Sequence, residues 1–257
     1  MKGRSQSSSI QTKRSKRLRK RKSKRSWTCK RCLTELRALG SKKNVEGMAR
    51  FGIRAKKVFG VPKPKMDSLA RRIGKNHQLA LQLWESGVHD ARILAGMVDE
   101  PEQVTSAQMD GWVHDFDNWD VCDGTCCHLF AYARPAWQKA LRWSRRKPEF
   151  QKRAGFALMA YLAVHDKNAS DAQYLQLLPI IRQAATDDRN FVRKAVNWAL
   201  RQIVKRSGKL NRAAIRDAER IREMDSRAAR WIAADALREL RSEAVQRRLR
   251  AKARAYA

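Results

Sequence analysis

Apolar positions recur at three- and four-residue spacing along most of the chain, and apolar–polar alternation with β-branched residues is nearly absent. Proline is sparse and glycine falls mostly at the ends of the periodic stretches, so the chain reads as helix after helix. The spacing predicts a short helix over 30–39, one starting at Lys63-Pro64 and running towards Ile73, and a pair over His77–Glu85 and His89–Val98 separated by Ser86-Gly87. Thr105 suits the N-cap of a helix over 105–116. Helices over 121–131 and 135–145 follow, the second with its proline in the first turn. Pro148 opens a long helix through Val164, Ser170 and Asp171 begin one to Ala185, and Asp187 or Asp188 caps one to Lys205. Three more are predicted near 211–223, 226–240 and 242–254.

Short polar connections between such helices predict antiparallel pairs stacked into an all-α solenoid. A compact helical bundle gives the same periodicity, and self-similarity between the pairs is weak to the eye. The chain is long enough for one large domain or an elongated array with a continuous core.

Charge changes this picture. The chain of 257 residues carries 57 Lys and Arg against 25 Asp and Glu, a net +32. Residues 1–26 hold 12 of those cations and no acid, which leaves +20 on the remainder. A basic tail alone is a solvated arm, whereas a basic body points to a folded surface that meets DNA, RNA or an anionic membrane surface. Residues 1–28 are Ser-, Lys- and Arg-rich with almost no apolar side chains, and are expected to be a disordered basic arm ahead of a domain over 29–257. No run of 18 apolar residues and no secretory h-region are present, so neither a membrane span nor secretion is expected. That leaves the cytoplasm and nucleoid of a bacterium, or a eukaryotic nucleus.

Five cysteines without a secretory signal suggest reduced thiols. Cys29 and Cys32 form a C-x-x-C pair, but no second pair lies near enough in sequence for a zinc site, and Cys122 and Cys126 fit one face of a helix as small buried residues. No phosphate-cradling glycine loop, H-E-x-x-H or G-x-S-x-G is present, and no cofactor or metal is expected. His165-Asp166 reads as a charge pair at a helix end.

The stretch from Trp112 to Asp123 holds two Trp and four Asp in twelve residues. Trp119 and Asp123 are four apart and share a helix face, with Asn118 as a boundary or N-cap. Core packing is the ordinary role of Trp, and first-turn dipole compensation that of Asp. On a cationic, phosphate-facing surface, however, a carboxylate repels phosphate, so its presence there points to a chemical role. Arg153 and Trp198 lie on apolar helices, where an Arg either snorkels, pairs or points at a ligand.

With these residues in view the sequence resembles the AlkD-like family of HEAT-like-repeat DNA alkylation repair glycosylases. The matching stretches are 47–53 (GMARFGI), 83–92 (LWESGVHDAR), 112–123, Arg153-Ala154 and 194–198 (KAVNW), in family order across roughly residues 35 to 240. The resemblance implies a superhelix of antiparallel helix pairs that holds duplex DNA and excises N3- and N7-alkylated, cationic purines. It places the family's Trp-x-x-x-Asp motif on Trp119 and Asp123, its active-site Arg on Arg153 with Lys152 beside it, and its second active-site Trp on Trp198. Arg193 and Lys194 are further candidates for contact with DNA. Asp123 is then expected to stabilise an oxocarbenium-like sugar and orient a water. Trp119 and Trp198 would pack around the deoxyribose, and Arg153 would hold a backbone phosphate. No lysine nucleophile is needed, which implies a monofunctional glycosylase, and a monomer is the default expectation. Two alternatives stand beside it: a non-catalytic HEAT-like binder of damaged or branched DNA or of RNA, and a helical scaffold with a basic tail.

Overall fold

The computed structural model describes residues 26–255, whose regular elements are all helices, with no strand. The helices are α1 (Cys29–Leu39), α2 (Lys42–Arg50), α3 (Lys63–Ile73), α4 (His77–Glu85), α5 (His89–Val98), α6 (Ser106–His114), α7 (Trp119–His128), α8 (Ala136–Trp143), α9 (Glu149–His165), α10 (Asp171–Leu175), α11 (Leu178–Ala184), α12 (Asn190–Ile203), α13 (Gly208–Arg222), α14 (Arg227–Leu240) and α15 (Glu243–Ala255).

Two layers result. Helices α5, α7, α9, α12 and α14 stack in that order, while α4 backs onto α5, α8 onto α9 and α13 onto α14. This is the pair-by-pair arrangement of a HEAT-like solenoid, in which each unit buries its apolar stripe on its neighbour. One core runs through it, from Leu36 and Leu69 through Leu94, Phe130, Trp143 and Phe156 to Leu200, Ile232 and Leu240. In its middle Trp84 and Trp112 stack with centroids 4.0 Å apart.

The paired helices approach closely where side chains are small. A Cβ built on Gly155 of α9 would sit 2.3 Å from the Ser144 backbone nitrogen and 2.8 Å from the Trp143 carbonyl carbon at the end of α8. Backbone cannot swing aside as a side chain can, so Gly155→Ala should destabilise the fold by about 1–3 kcal/mol or more. Chemical denaturation of the variant beside wild type measures this. An unchanged midpoint would show that α8 and α9 separate freely.

The predicted elements are met with shifts of a few residues at their ends, and four differences have a clear physical cause. Helix α2 was not anticipated, because KKNVEGMAR is short and mostly polar and none of its residues is fully buried. The helix expected over 170–185 breaks into α10 and α11, since Pro179 provides no amide for the ladder and starts the second piece. Helix α7 starts at Trp119 rather than at 121, because the Asn118 side chain accepts from the amides of Asp120 and Val121, both at 3.0 Å. Helix α12 has no side-chain cap; Asp187 ion-pairs with Lys152 and Arg189 instead.

The packed body begins slightly before the expected boundary. The Trp27 indole donates to the Arg72 carbonyl at 3.2 Å and lies 4.0 Å under the Arg31 guanidinium, and Thr28 caps α1. Trp27 and Thr28 therefore belong to the folded body, and residues 1–25 of the expected arm lie outside the described residues. No described helix is long and apolar enough to cross a membrane.

Candidate active site

The four aspartates between Trp112 and Asp123 turn out to have separate partners. Asp115 accepts from the Trp84 indole at 2.9 Å and from Arg92 at 3.1 Å. Asp117 accepts from the Asn118 amide at 2.6 Å, and Asp120 lies 3.1 Å from the His89 ring. Asp123 alone engages Arg153: Nε reaches one carboxylate oxygen at 2.9 Å and a terminal nitrogen reaches the other at 2.6 Å. The remaining terminal nitrogen of Arg153 donates to the Phe191 carbonyl at 2.6 Å. The pair thus bridges α7 and α9, and fastens both to the first turn of α12.

Sequence position explains the arrangement. Asn118 starts α7 so that Trp119 occupies its first turn and Asp123 the second, on one face. Trp112 belongs to α6, and the break at 115–118 sends it into the core instead. On the side of α7 that meets α9, Cys122 and Cys126 face the carbonyls of Phe150 and Ala154, which brings α9 close enough for Arg153 to reach Asp123.

Arg153 is buried, while Asp123 keeps 16% of its side chain exposed. Burial pushes the Asp123 carboxyl up from the ordinary carboxylate range, while the charge and hydrogen bonds of Arg153 pull against it. For Arg153, burial works against the charge and the carboxylate outweighs it, so the guanidinium is held still more firmly protonated. A forked Arg pair fixes the carboxylate plane while leaving each oxygen a further lone pair.

Trp119 and Trp198 are both half-buried. The Trp119 indole donates to the Phe51 carbonyl at 2.9 Å, and Trp198 meets Tyr161 edge-on with centroids 4.9 Å apart at 87°. Burial, with Cys127 and Asp123 nearby, pushes the Tyr161 phenol up. Asp123 and Cys127 are four apart on one face of α7, and Tyr161 lies between that face and Trp198. Tyr161, Phe191 and Phe51 were not picked out from sequence, because nothing in local spacing marks them.

The cationic candidates separate by partner. Lys152 pairs with Asp187 at 2.8 Å, and so does not compete with Arg153 for Asp123. Arg193 lies 4.6 Å over the Trp231 ring, and Lys194 is exposed. Arg241, Arg247, Arg248 and Arg250 are also exposed; Arg241 is paired with Glu219, and Arg247 lies 3.8 Å from Glu243. His165 and Asp166 do not pair with each other. His165 contacts the Tyr132 hydroxyl at 3.0 Å, whereas Asp166 accepts from the Trp137 indole at 2.8 Å and from the amides of Asn168 and Ala169. All five thiols are free, and no cluster of three or more His, Cys, Asp or Glu among the described residues is arranged to hold a metal.

No curated protein matches the chain. Among solved structures, one superposes with a TM-score of 0.70 at 20% identity, over 81% of this chain and 94% of the other. It is described as a new family of proteins related to the HEAT-like repeat DNA glycosylases with affinity for branched DNA structures. That likeness gives the fold. A family model described as DNA alkylation repair enzyme matches residues 32–240, a stretch that contains Trp119, Asp123, Arg153 and Trp198. Spanning most of the chain and all four of these residues, the match makes the chain a member of the DNA alkylation repair enzyme family.

Proposed function

We propose that the protein is a monofunctional DNA glycosylase that excises cationic N3- or N7-alkylpurines from duplex DNA. The observation that carries this is the Asp123–Arg153 fork, which presents an oriented, partly exposed carboxylate on a protein of net +32. Family membership supports the chemistry, and the positive surface supports the substrate.

Alkylation at N3 or N7 gives the purine a positive charge. When the C1′–N bond breaks, its electron pair goes to the base, which leaves neutral, and positive charge develops on the deoxyribose. The Asp123 carboxylate opposes that charge, and its free lone pairs accept a proton of the attacking water. Water bonds to C1′ and gives up a proton, leaving an abasic site. Arg153 acts here by positioning Asp123, since three of its five N–H bonds are already directed to Asp123 and Phe191. Two N–H bonds remain, and they can still meet a phosphate. Trp119 and Trp198 supply electron-rich faces for the sugar or the cationic lesion. Arg193 and Lys194 on α12 contribute phosphate contacts.

A pH dependence follows from the burial of Asp123. The ionised carboxylate is the active form, and burial raises its pKa. The acid limb of kcat/KM for base release should therefore lie above the ordinary carboxylate range, with activity lost as pH falls through it. A limb at the ordinary value would mean that the carboxylate is fully solvated in the working state.

A second reading, non-catalytic binding of branched DNA, is favoured by the described affinity of the structural neighbour. Incubation with methylated duplex, followed by chromatography of the released bases, separates the two. Glycosylase action yields 7-methylguanine or 3-methyladenine and abasic sites. Tight binding to a four-way junction with no released base would establish the second reading.

A further inference from the structure

Along the seam between α12 and α14 the cations of α12 are neutralised from within, with one exception. Arg201 pairs with Asp235 at 2.6 Å and with Glu239 at 2.9 Å, and Lys205 pairs with Glu239. One turn before Arg201, the Asn197 amide also donates to Asp235, at 2.7 Å. One turn earlier again, Arg193 breaks the pattern. It has no carboxylate partner among the described residues, and its Nε is buried without a hydrogen bond. Its guanidinium lies 4.6 Å over the Trp231 ring instead. Trp231 is four residues before Asp235, on the same face of α14, and it stays 39% exposed. The ring is therefore a seat for Arg193 at the surface and not part of the core.

An indole face attracts a guanidinium without neutralising it. A carboxylate at 231 would consume the charge, as Asp235 does for Arg201. The ring instead fixes the plane of the fork and leaves its charge and terminal N–H groups for an anion. A buried N–H without a partner is costly, and is retained where the group serves a ligand. Arg193 also lies two residues after Phe191, whose carbonyl receives Arg153. The first turn of α12 thus fastens the partner of Asp123 and carries the free guanidinium.

We propose that Arg193 and Trp231 form a clamp for one backbone phosphate, and that this phosphate sets the register of the duplex over Asp123. Trp231 is a positioning residue that acts through Arg193. Lys194, exposed beside it, is a flexible point charge and supplies attraction without register. The inference rests on the reading of the protein as a binder of duplex DNA, but not on its catalysing base release.

The test uses the full chain and duplexes with a tetrahydrofuran abasic analogue at a fixed position, each carrying one neutral methylphosphonate linkage at a different place. Neutralising one particular linkage should weaken wild-type binding by about tenfold. Arg193→Ala and Trp231→Ala should bind the unmodified duplex weaker by a similar factor, and should no longer respond to the methylphosphonate at that linkage while responding at the others. Trp231→Phe should keep the response, and Arg193→Lys should lose it. A response at every linkage unchanged in Arg193→Ala overturns the clamp, even if affinity falls, because the residue then only adds to the general charge. An unchanged response in Trp231→Ala overturns the part given to the ring. Failure of the wild type to bind the duplex removes the DNA reading and the clamp together. A response lost in both alanine variants, with no base released by the wild type, removes only the glycosylase reading and leaves the clamp standing.

Discussion

Asp123→Asn should slow single-turnover release of 7-methylguanine by about 100- to 1,000-fold. The substitution keeps the shape of the side chain and one acceptor oxygen for Arg153, but removes the charge that opposes the oxocarbenium ion. Binding of the duplex should change only a few-fold, and in the direction of tighter association, because a negative charge facing phosphate has been removed. Stability should fall, since Arg153 is buried and loses its charged partner. A melting curve on the same preparation separates that cost from the loss of rate. Release within threefold of wild type would show that Asp123 is a structural partner of Arg153 and nothing more.

The largest expected loss of stability lies elsewhere, at Asp110. This carboxylate accepts from Lys139 at 2.7 Å, from the Trp143 indole at 2.9 Å and from Arg146 at 3.1 Å, joining α6 to α8. The Lys139 side chain is 1% exposed, so its ammonium depends on Asp110. Asp110→Ala should cost about 3–5 kcal/mol, because it strands a buried charge. For a domain of this size that lowers the melting temperature by roughly 10 °C. Adding Lys139→Met should recover much of the loss, as the double-mutant cycle would report. Burial pushes the Asp110 carboxyl up, but the hydrogen bonds from Lys139 and Trp143 and the nearby charges outweigh it and leave the pKa lowered. A lowered carboxylate contributes stability above its unfolded pKa and loses it as pH falls through the folded one. The gap between wild type and Asp110→Ala should therefore narrow in acid. A gap constant down to strong acid would contradict the pairing.

What the sequence made legible follows from the range of each interaction. Trp119 and Asp123 share a face because they are four residues apart, and Asn118 is recognisable as a cap, so this part of the site is local. The Asp123–Arg153 pair joins residues thirty apart on neighbouring helices, and only the stacking of α7 on α9 reveals it. The same holds for Lys152, whose neighbour Arg153 shares its charge but whose partner, Asp187, is on a different connection. Trp112 illustrates the converse. It lies in the same dense stretch as Trp119, yet a four-residue break rotates it into the aromatic core. Helix α2 escaped periodicity because it is short and mostly polar, and Phe51 escaped it because its contact with Trp119 is a property of the fold. Cys122 and Cys126 were legible as small residues on one face, although not as the contact that draws α9 within reach of Asp123.

As proposed, this chain breaks the glycosidic bond of purines whose positive charge makes them leave. The direct measurement is single-turnover base release from two matched duplexes, one carrying 7-methylguanine and one carrying hypoxanthine, a neutral purine. Release of 7-methylguanine and essentially none of hypoxanthine is expected, because the leaving group supplies the driving force. A duplex that is bound but yields neither base, or yields both equally, would contradict it.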